Sequence, residues 1–392
     1  MGPVGAPVPS QLLREHSIRT RSATTRWRPP LDPWIRSRPL SVISQTASHF
    51  GMGEGAMVEK KAAESDTIYD RQIRLWGHDA QARLAGARVV VVGVGGLGAE
   101  VAKNVALAGC GHLAVMDAEG GACRASDLAV NFLIHAEDVD AGARRADACV
   151  ARLRDMNPLC EYVALDGGDK VDPDAVLRDG KYDVVVLAAD VRLHEAVAWD
   201  AACAAHGARL FAGACHGGIG YFFAGGDRGD DRASLAGVLG APLSALPKRC
   251  AKSVVALRIV EAAGVAARDA GPEDAVSLGE VRKGMLQAAD LPEPFIGEEL
   301  LRDYAAELGR REGRPEVAAI VGGTLGAEVV KVVMGDASTE KPPPVAIDNL
   351  FIFDATRHGH SAGIIEKLSD GKGKEKEVAA PNPAKRAKLA QD

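Results

Sequence analysis

The stretch "ARVVVVGVGGLGAEVAKNVALAG" (87–109) constrains the fold more than any other part of the chain. Valines at 89–92 read as a strand buried on both faces. Glycines follow at once, and Gly93, Gly95 and Gly98 complete a G-x-G-x-x-G pattern. Residues 97–109 then take helical spacing and stop at Gly109. Strand, glycine turn and helix in this order give the pattern its meaning. The glycines let backbone N–H groups approach a phosphate, and the helix N-terminus adds a favourable partial charge. A second apolar run, 112–117, ends in Asp117, 19 residues after Gly98. A carboxylate there is placed to accept from ribose hydroxyls. Glycines that serve only strand–helix packing, with Asp117 as a loop cap, would leave the same trace. The full set favours nucleotide-binding ancestry, and present binding is a separate question.

The rest of the chain repeats the alternation. An amphipathic helix over 141–158 closes at Asn157-Pro158, and strands are expected at 161–165 and 182–190 with a helix over 192–207. Residues 208–225 read as two strands around a glycine-rich turn. From about 249 the pattern is helical, with Pro315 suited to a first helical turn, and 348–355 is a late strand. The expected fold is α/β, a Rossmann-like doubly wound, mainly parallel sheet. A composition of 47% apolar but only 4% aromatic residues suits such Val- and Ala-rich layers. A net charge of −6 gives no reason to expect nucleic acid as a partner. No stretch of 18 apolar residues is free of charge, so no membrane span is expected. The seven cysteines form no C-x-x-C pair, which argues against a cysteine-based zinc site and for reduced thiols.

Both ends differ in composition. Residues 1–57 are rich in Arg, Ser and Pro, as in an organelle transit peptide, a disordered extension or an over-long gene model; Met52 and Met57 offer later starts. Residues 367–392 are charged and poor in large apolar side chains, so a disordered tail is expected. Within it, Lys385, Arg386 and Lys388 follow prolines like a short nuclear-import signal.

An NAD-dependent oxidoreductase is the default owner of such a glycine loop. It would need a proton-transfer residue, for which His194, His206 and His216 are available but unplaced. It leaves "YDRQIRLWG" (69–77) unexplained. That segment, the glycine loop, Asp117, "NFLI" (131–134), "VAAIVGGTLGAEVVKVVMG" and "NLFIFDA" together resemble the adenylation domain shared by MoeB, ThiF and the ubiquitin-like activating enzymes. The resemblance covers roughly 58–366 and is nearest to the small, Aos-type subunits of SUMO-activating enzymes. NEDD-type small subunits share a similar opening.

The resemblance implies a heterodimer with a large catalytic subunit. ATP and Mg would sit at the partner's site, SUMO would be the protein adenylated, and a partner cysteine would take the thioester. The SUMO-conjugating enzyme would be met only through that complex, and the location would be nuclear. Arg71 matches the family's arginine that crosses to the partner's ATP phosphates.

Several positions depart from the family's active pattern, an Asn-x-x-Arg-Gln segment after the ribose acid. Asp127, Val130 and Asn131 stand at its Asn, Arg and Gln. Loss of the arginine removes a fork of phosphate donors, and a carboxylate beside a triphosphate repels it. Arg145 stands where a lysine is usual, and Val191 follows Asp190 where an asparagine is usual. No metal is expected in this chain, and Gly93, Gly95, Gly98 and Asp117 read as a vestigial nucleotide site. Cys250 has Lys248, Arg249 and Lys252 beside it, and Cys215 lies in the glycine-rich hairpin; both are expected to be incidental thiols.

Overall fold

The four-valine run becomes β1 (Arg88–Val92), and its neighbours are β2 (His112–Asp117) and β4 (Val184–Leu187), both parallel to it. The computed structural model describes residues 67–117, 121–167, 171–189, 193–225, 234–240, 242–246, 252–263, 272–310, 313–335, 349–356 and 361–365. The expectations for 1–57, Asp190, Val191, Cys250 and the tail lie outside these residues. β3 (Glu161–Asp166), β5 (Arg209–His216), β6 (Ile219–Ala224), β7 (Asn349–Asp354) and β8 (Ser361–Ile365) complete one sheet. Its order is β3-β2-β1-β4-β5-β6-β7-β8. Strands β3 to β5 run parallel, and β6, β7 and β8 are antiparallel additions.

Thirteen α-helices are described: α1 (Asp70–Trp76), α2 (His78–Gly86), α3 (Gly96–Ala108), α4 (Asp127–Val130), α5 (Ala136–Asp140), α6 (Arg145–Met156), α7 (Pro173–Gly180), α8 (Leu193–His206), α9 (Leu235–Gly240), α10 (Lys252–Ala262), α11 (Pro272–Ala288), α12 (Glu298–Leu308) and α13 (Pro315–Met334). The sheet's two faces sort them. Val89 and Val91 share a core with α3, α6 and α13, whereas Val90 and Val92 share one with α8, α10 and α12. Alternate valines thus meet different helical layers, and none of the four keeps more than 1% exposure.

α13 is long and apolar enough, by length and composition, to cross a membrane. It lies along α3 and also contacts α2 and β6, with 56% of its most apolar window buried, as a core helix does.

The strand and helix expectations hold apart from their ends and a few omissions. The helix placed over 141–158 begins only at Arg145, because Gly142 adopts a positive φ of 61° and Arg144 bridges to Ala122. The elements α1, α2, α4, α5, α7, α9, α11 and β8 carry no strong pattern in the sequence.

Candidate functional site

In a doubly wound sheet, ligands bind beyond the carboxyl ends of the strands where the strand order reverses. Here that point lies between β1 and β4, and the glycine loop sits directly on it. Gly93 has φ 101°, and a Cβ there would lie 2.4 Å from Ala189 N at the end of β4. A Cβ on Gly98 would lie 1.9 Å from Gly93 O. Both glycines are therefore required by packing. Gly95 is different: its φ is −72°, and a Cβ there would meet nothing within 4 Å. Asn131 fixes the loop from behind. Its Nδ2 donates to Val94 O at 2.6 Å, and its Oδ1 accepts from Leu133 N at 2.9 Å.

The loop opens on a cavity of about 210 Å³, below the roughly 300–1,000 Å³ usual for small-molecule sites. Gly93, Gly95, Asp117, Asp127, Val130, Arg145 and Cys215 line it, as expected of a site inherited from a nucleotide binder. Arg124, Ser126 and His216 also line it. The first two had no motif to mark them. One ring nitrogen of His216, Nδ1, bonds Arg310 O at 3.0 Å. His206 pairs instead with Asp174 at 3.1 Å and does not line the cavity.

Three of the cavity's charged side chains are bound to one another. Arg145 Nε donates to Asp117 Oδ2 at 2.8 Å, and its Nη1 lies 3.6 Å from Asp127 Oδ1. Asp117 Oδ2 also accepts from Gly121 N at 2.9 Å, and Asp127 Oδ2 from Arg124 N at 2.8 Å. All three side chains are about nine-tenths buried. One guanidinium thus answers two carboxylates, one of them the ribose acid. Val130 brings no donor; its carbonyl would lie 2.8 Å from a Cβ on Gly96. Within this trio there is one carboxylate more than cations, and Arg124 adds a second guanidinium to the lining. Among the described residues, no group of three His, Cys, Asp or Glu is placed to hold a metal.

Cys215 borders the cavity, and burial pushes its thiol up to about 12, which disfavours the thiolate at neutral pH.

Arg71 lies elsewhere. The segment that carries it sits at the C-terminal end of α3, where Gln72 Nε2 donates to Leu107 O at 3.2 Å. The glycine loop is at the other end of this 13-residue helix, about 20 Å away at 1.5 Å per residue. Arg71 does not reach its own chain's cavity. It is exposed and makes no hydrogen bond or ion pair with another described residue, whereas Arg74 is held by Asp70 at 3.0 Å. Ile68 and Leu75 flank it, 57% and 68% exposed.

The sheet and its glycine loop define a Rossmann-like α/β fold. The chain belongs to the ThiF family, whose match spans residues 69–365. It is 29% identical to human SUMO-activating enzyme subunit 1 over 363 residues, 80% of this chain and 97% of that protein. It is equally identical to SUMO-activating enzyme subunit 1A of Arabidopsis thaliana, over 80% of this chain and 98% of that one. DNA damage tolerance protein RHC31 of Saccharomyces cerevisiae is 37% identical over 140 residues, only 36% of this chain and 38% of the yeast protein. Among solved structures, Escherichia coli MccB superposes with a TM-score of 0.50 at 14% identity, over 77% of this chain and 70% of that one, a likeness of fold.

Proposed function

We propose that this chain is the catalytically incomplete small subunit of a heterodimeric SUMO-activating enzyme. The observation that carries the reading is the separation of two features along α3: a glycine-loop cavity whose Asp117 and Asp127 are bound by Arg145 at one end, and at the other an exposed arginine with no partner among the described residues. An arginine held away from its own site and flanked by exposed apolar side chains suits action in another chain's site. Similarity to SUMO-activating subunits over nearly their whole length supports the identity of the complex. In this reading the large subunit holds ATP and Mg, adenylates the C-terminal carboxylate of SUMO with release of pyrophosphate, and then takes the acyl group on its own cysteine. The part of this chain is to deliver the Arg71 guanidinium to the phosphates, where a desolvated fork of donors stabilises charge as pyrophosphate departs. The folded domain would span 58–366, and the Lys385–Lys388 cluster would direct the complex to the nucleus.

ATP–pyrophosphate exchange in the presence of SUMO tests this reading. The chain alone should be silent, and the chain mixed with a SUMO-activating large subunit should be active. Arg71→Ala should leave the heterodimer intact on gel filtration and slow exchange by roughly 10²-fold, the scale of removing one preorganised donor. Exchange by the chain alone, or full activity of Arg71→Ala, would refute the proposal.

A further inference from the structure

The last turn of any α-helix leaves carbonyls without an N–H in reach. In α3 the last three carbonyls are met by side-chain amides from outside the helix, and Ala106 O also accepts from Gly109 N at 3.0 Å. Asn157 Nδ2 donates to Ala106 O at 2.6 Å, Gln72 Nε2 to Leu107 O at 3.2 Å, and Gln81 Nε2 to Ala108 O at 3.1 Å. The same amides are tied to the segment that carries Arg71. Asn157 Nδ2 also donates to Tyr69 Oη at 2.7 Å, and Trp76 Nε1 donates to Gln81 Oε1 at 3.1 Å. Asn157 is itself held, with its backbone carbonyl accepting from Tyr162 Oη at 2.9 Å.

Gly109 completes the seat. It ends α3 in the left-handed region, φ 95°, and a Cβ there would fall 2.5 Å from Gln81 Nε2 and 2.8 Å from Tyr69 Cζ. Tyr69 is 4% exposed, whereas α1 contains no buried residue. The helix is therefore located by Tyr69 before it, by Gln72 within it and by Trp76 at its end, which also packs against Ala80, Leu84 and Ala108. Arg71 stands between Tyr69 and Gln72, two of the fixed points.

We infer that Tyr69, Gln72, Gln81, Asn157 and Gly109 are positioning residues that seat α1 on the C-terminus of α3 and so aim Arg71. The inference rests on the in-trans reading of Arg71 and adds to it the machinery that holds the arginine. Without the clamp a seven-residue helix has little to hold its place, since short helices are marginal in water. Displacement of a reacting group by about 1 Å is enough to cost 10²-fold in rate.

The test is a double-mutant cycle in the reconstituted heterodimer, read by ATP–pyrophosphate exchange. Tyr69→Phe, which deletes only the hydroxyl, should lower kcat about 3- to 10-fold with the KM for SUMO unchanged. Gly109→Ala should lower it by on the order of 10²-fold, because Tyr69 and Gln81 must give way. Neither change should slow the Arg71→Ala heterodimer further, since the clamp acts through the arginine. Losses that multiply on the Arg71→Ala background would overturn the inference, as would full activity of Tyr69→Phe. Should Gly109→Ala fail to fold, Tyr69→Phe alone decides. The two levels separate cleanly: a slow Arg71→Ala with a normal Tyr69→Phe refutes only the clamp, whereas a fully active Arg71→Ala refutes the in-trans reading and the clamp with it.

Discussion

Three glycines of one motif do two different jobs. Gly93 and Gly98 are pressed against each other and against the end of β4, so a methyl at Gly98 has nowhere to go but into Gly93 O. Gly95 faces open space with an ordinary backbone conformation. Gly98→Ala should therefore cost at least about 2 kcal/mol, on the scale of overpacking a core. Gly95→Ala should cost under about 1 kcal/mol, the loss of a modest helix N-cap. Urea unfolding of the two variants checks the contrast, and equal losses would show that the loop is not divided in this way. The motif was legible from sequence, but this division was not, because it depends on which atoms lie opposite each glycine. Asp117 was legible for the same reason as the motif, as an acid at a strand end. Its occupation by Arg145, 28 residues further on, was not.

At the level of the element, the delayed start of α6 explains that occupation. Residues 121–123 pair with 143–145: Cys123 N donates to Ala143 O at 2.7 Å and Arg145 N to Gly121 O at 3.2 Å. This short pairing ends the turn at Gly142 and makes Arg145 the first residue of α6, aimed at the cavity. A cation at a helix N-terminus is unfavourable by itself, and the two carboxylates offset it. Sequence periodicity carried the helix back to 141 because Ala141 and Ala143 fit a helix as well as a turn. The strong elements, β1, α3, β2 and the β5–β6 hairpin, were legible because burial on both faces or a glycine stop marks them. α1, a single exposed turn or two held by polar contacts, gives no such pattern. Arg145→Ala would remove the guanidinium that the buried Asp117 and Asp127 share, and should cost roughly 3–5 kcal/mol, as for one-sided removal of a buried ion pair. Arg145→Lys keeps the charge without the fork and should cost less. Chemical denaturation of both variants reads this out, and an Arg145→Ala protein as stable as the parent would mean that the trio holds nothing together.

Across the whole molecule, the scattered cysteines become a stability device of their own. Cys149 and Cys160 lie in the core on one side of the sheet and Cys203 in the core on the other, while Cys215 packs at the edge of the first. Burial pushes each of these four thiols from its usual value near 9 up to about 12. The sequence offered only that they form no paired motif; that four of them share this fate follows from where both helical layers close over the sheet. Below pH 9 the thiols are neutral folded or unfolded, so stability does not depend on them. Between 9 and 12 the unfolded chain releases these protons and the folded chain keeps them, so stability falls with rising pH. Each thiol contributes a loss of about 1.4 kcal/mol per pH unit across that window. The urea midpoint should therefore hold steady from pH 7 to 8.5 and then drop steeply by pH 10. In the same experiment, iodoacetamide at pH 8 should leave Cys149, Cys160 and Cys203 unmodified in the native protein and label them once urea unfolds it, as read by mass spectrometry. A flat midpoint through pH 10, or rapid labelling of the native chain, would mean that the two layers do not seal these side chains from water.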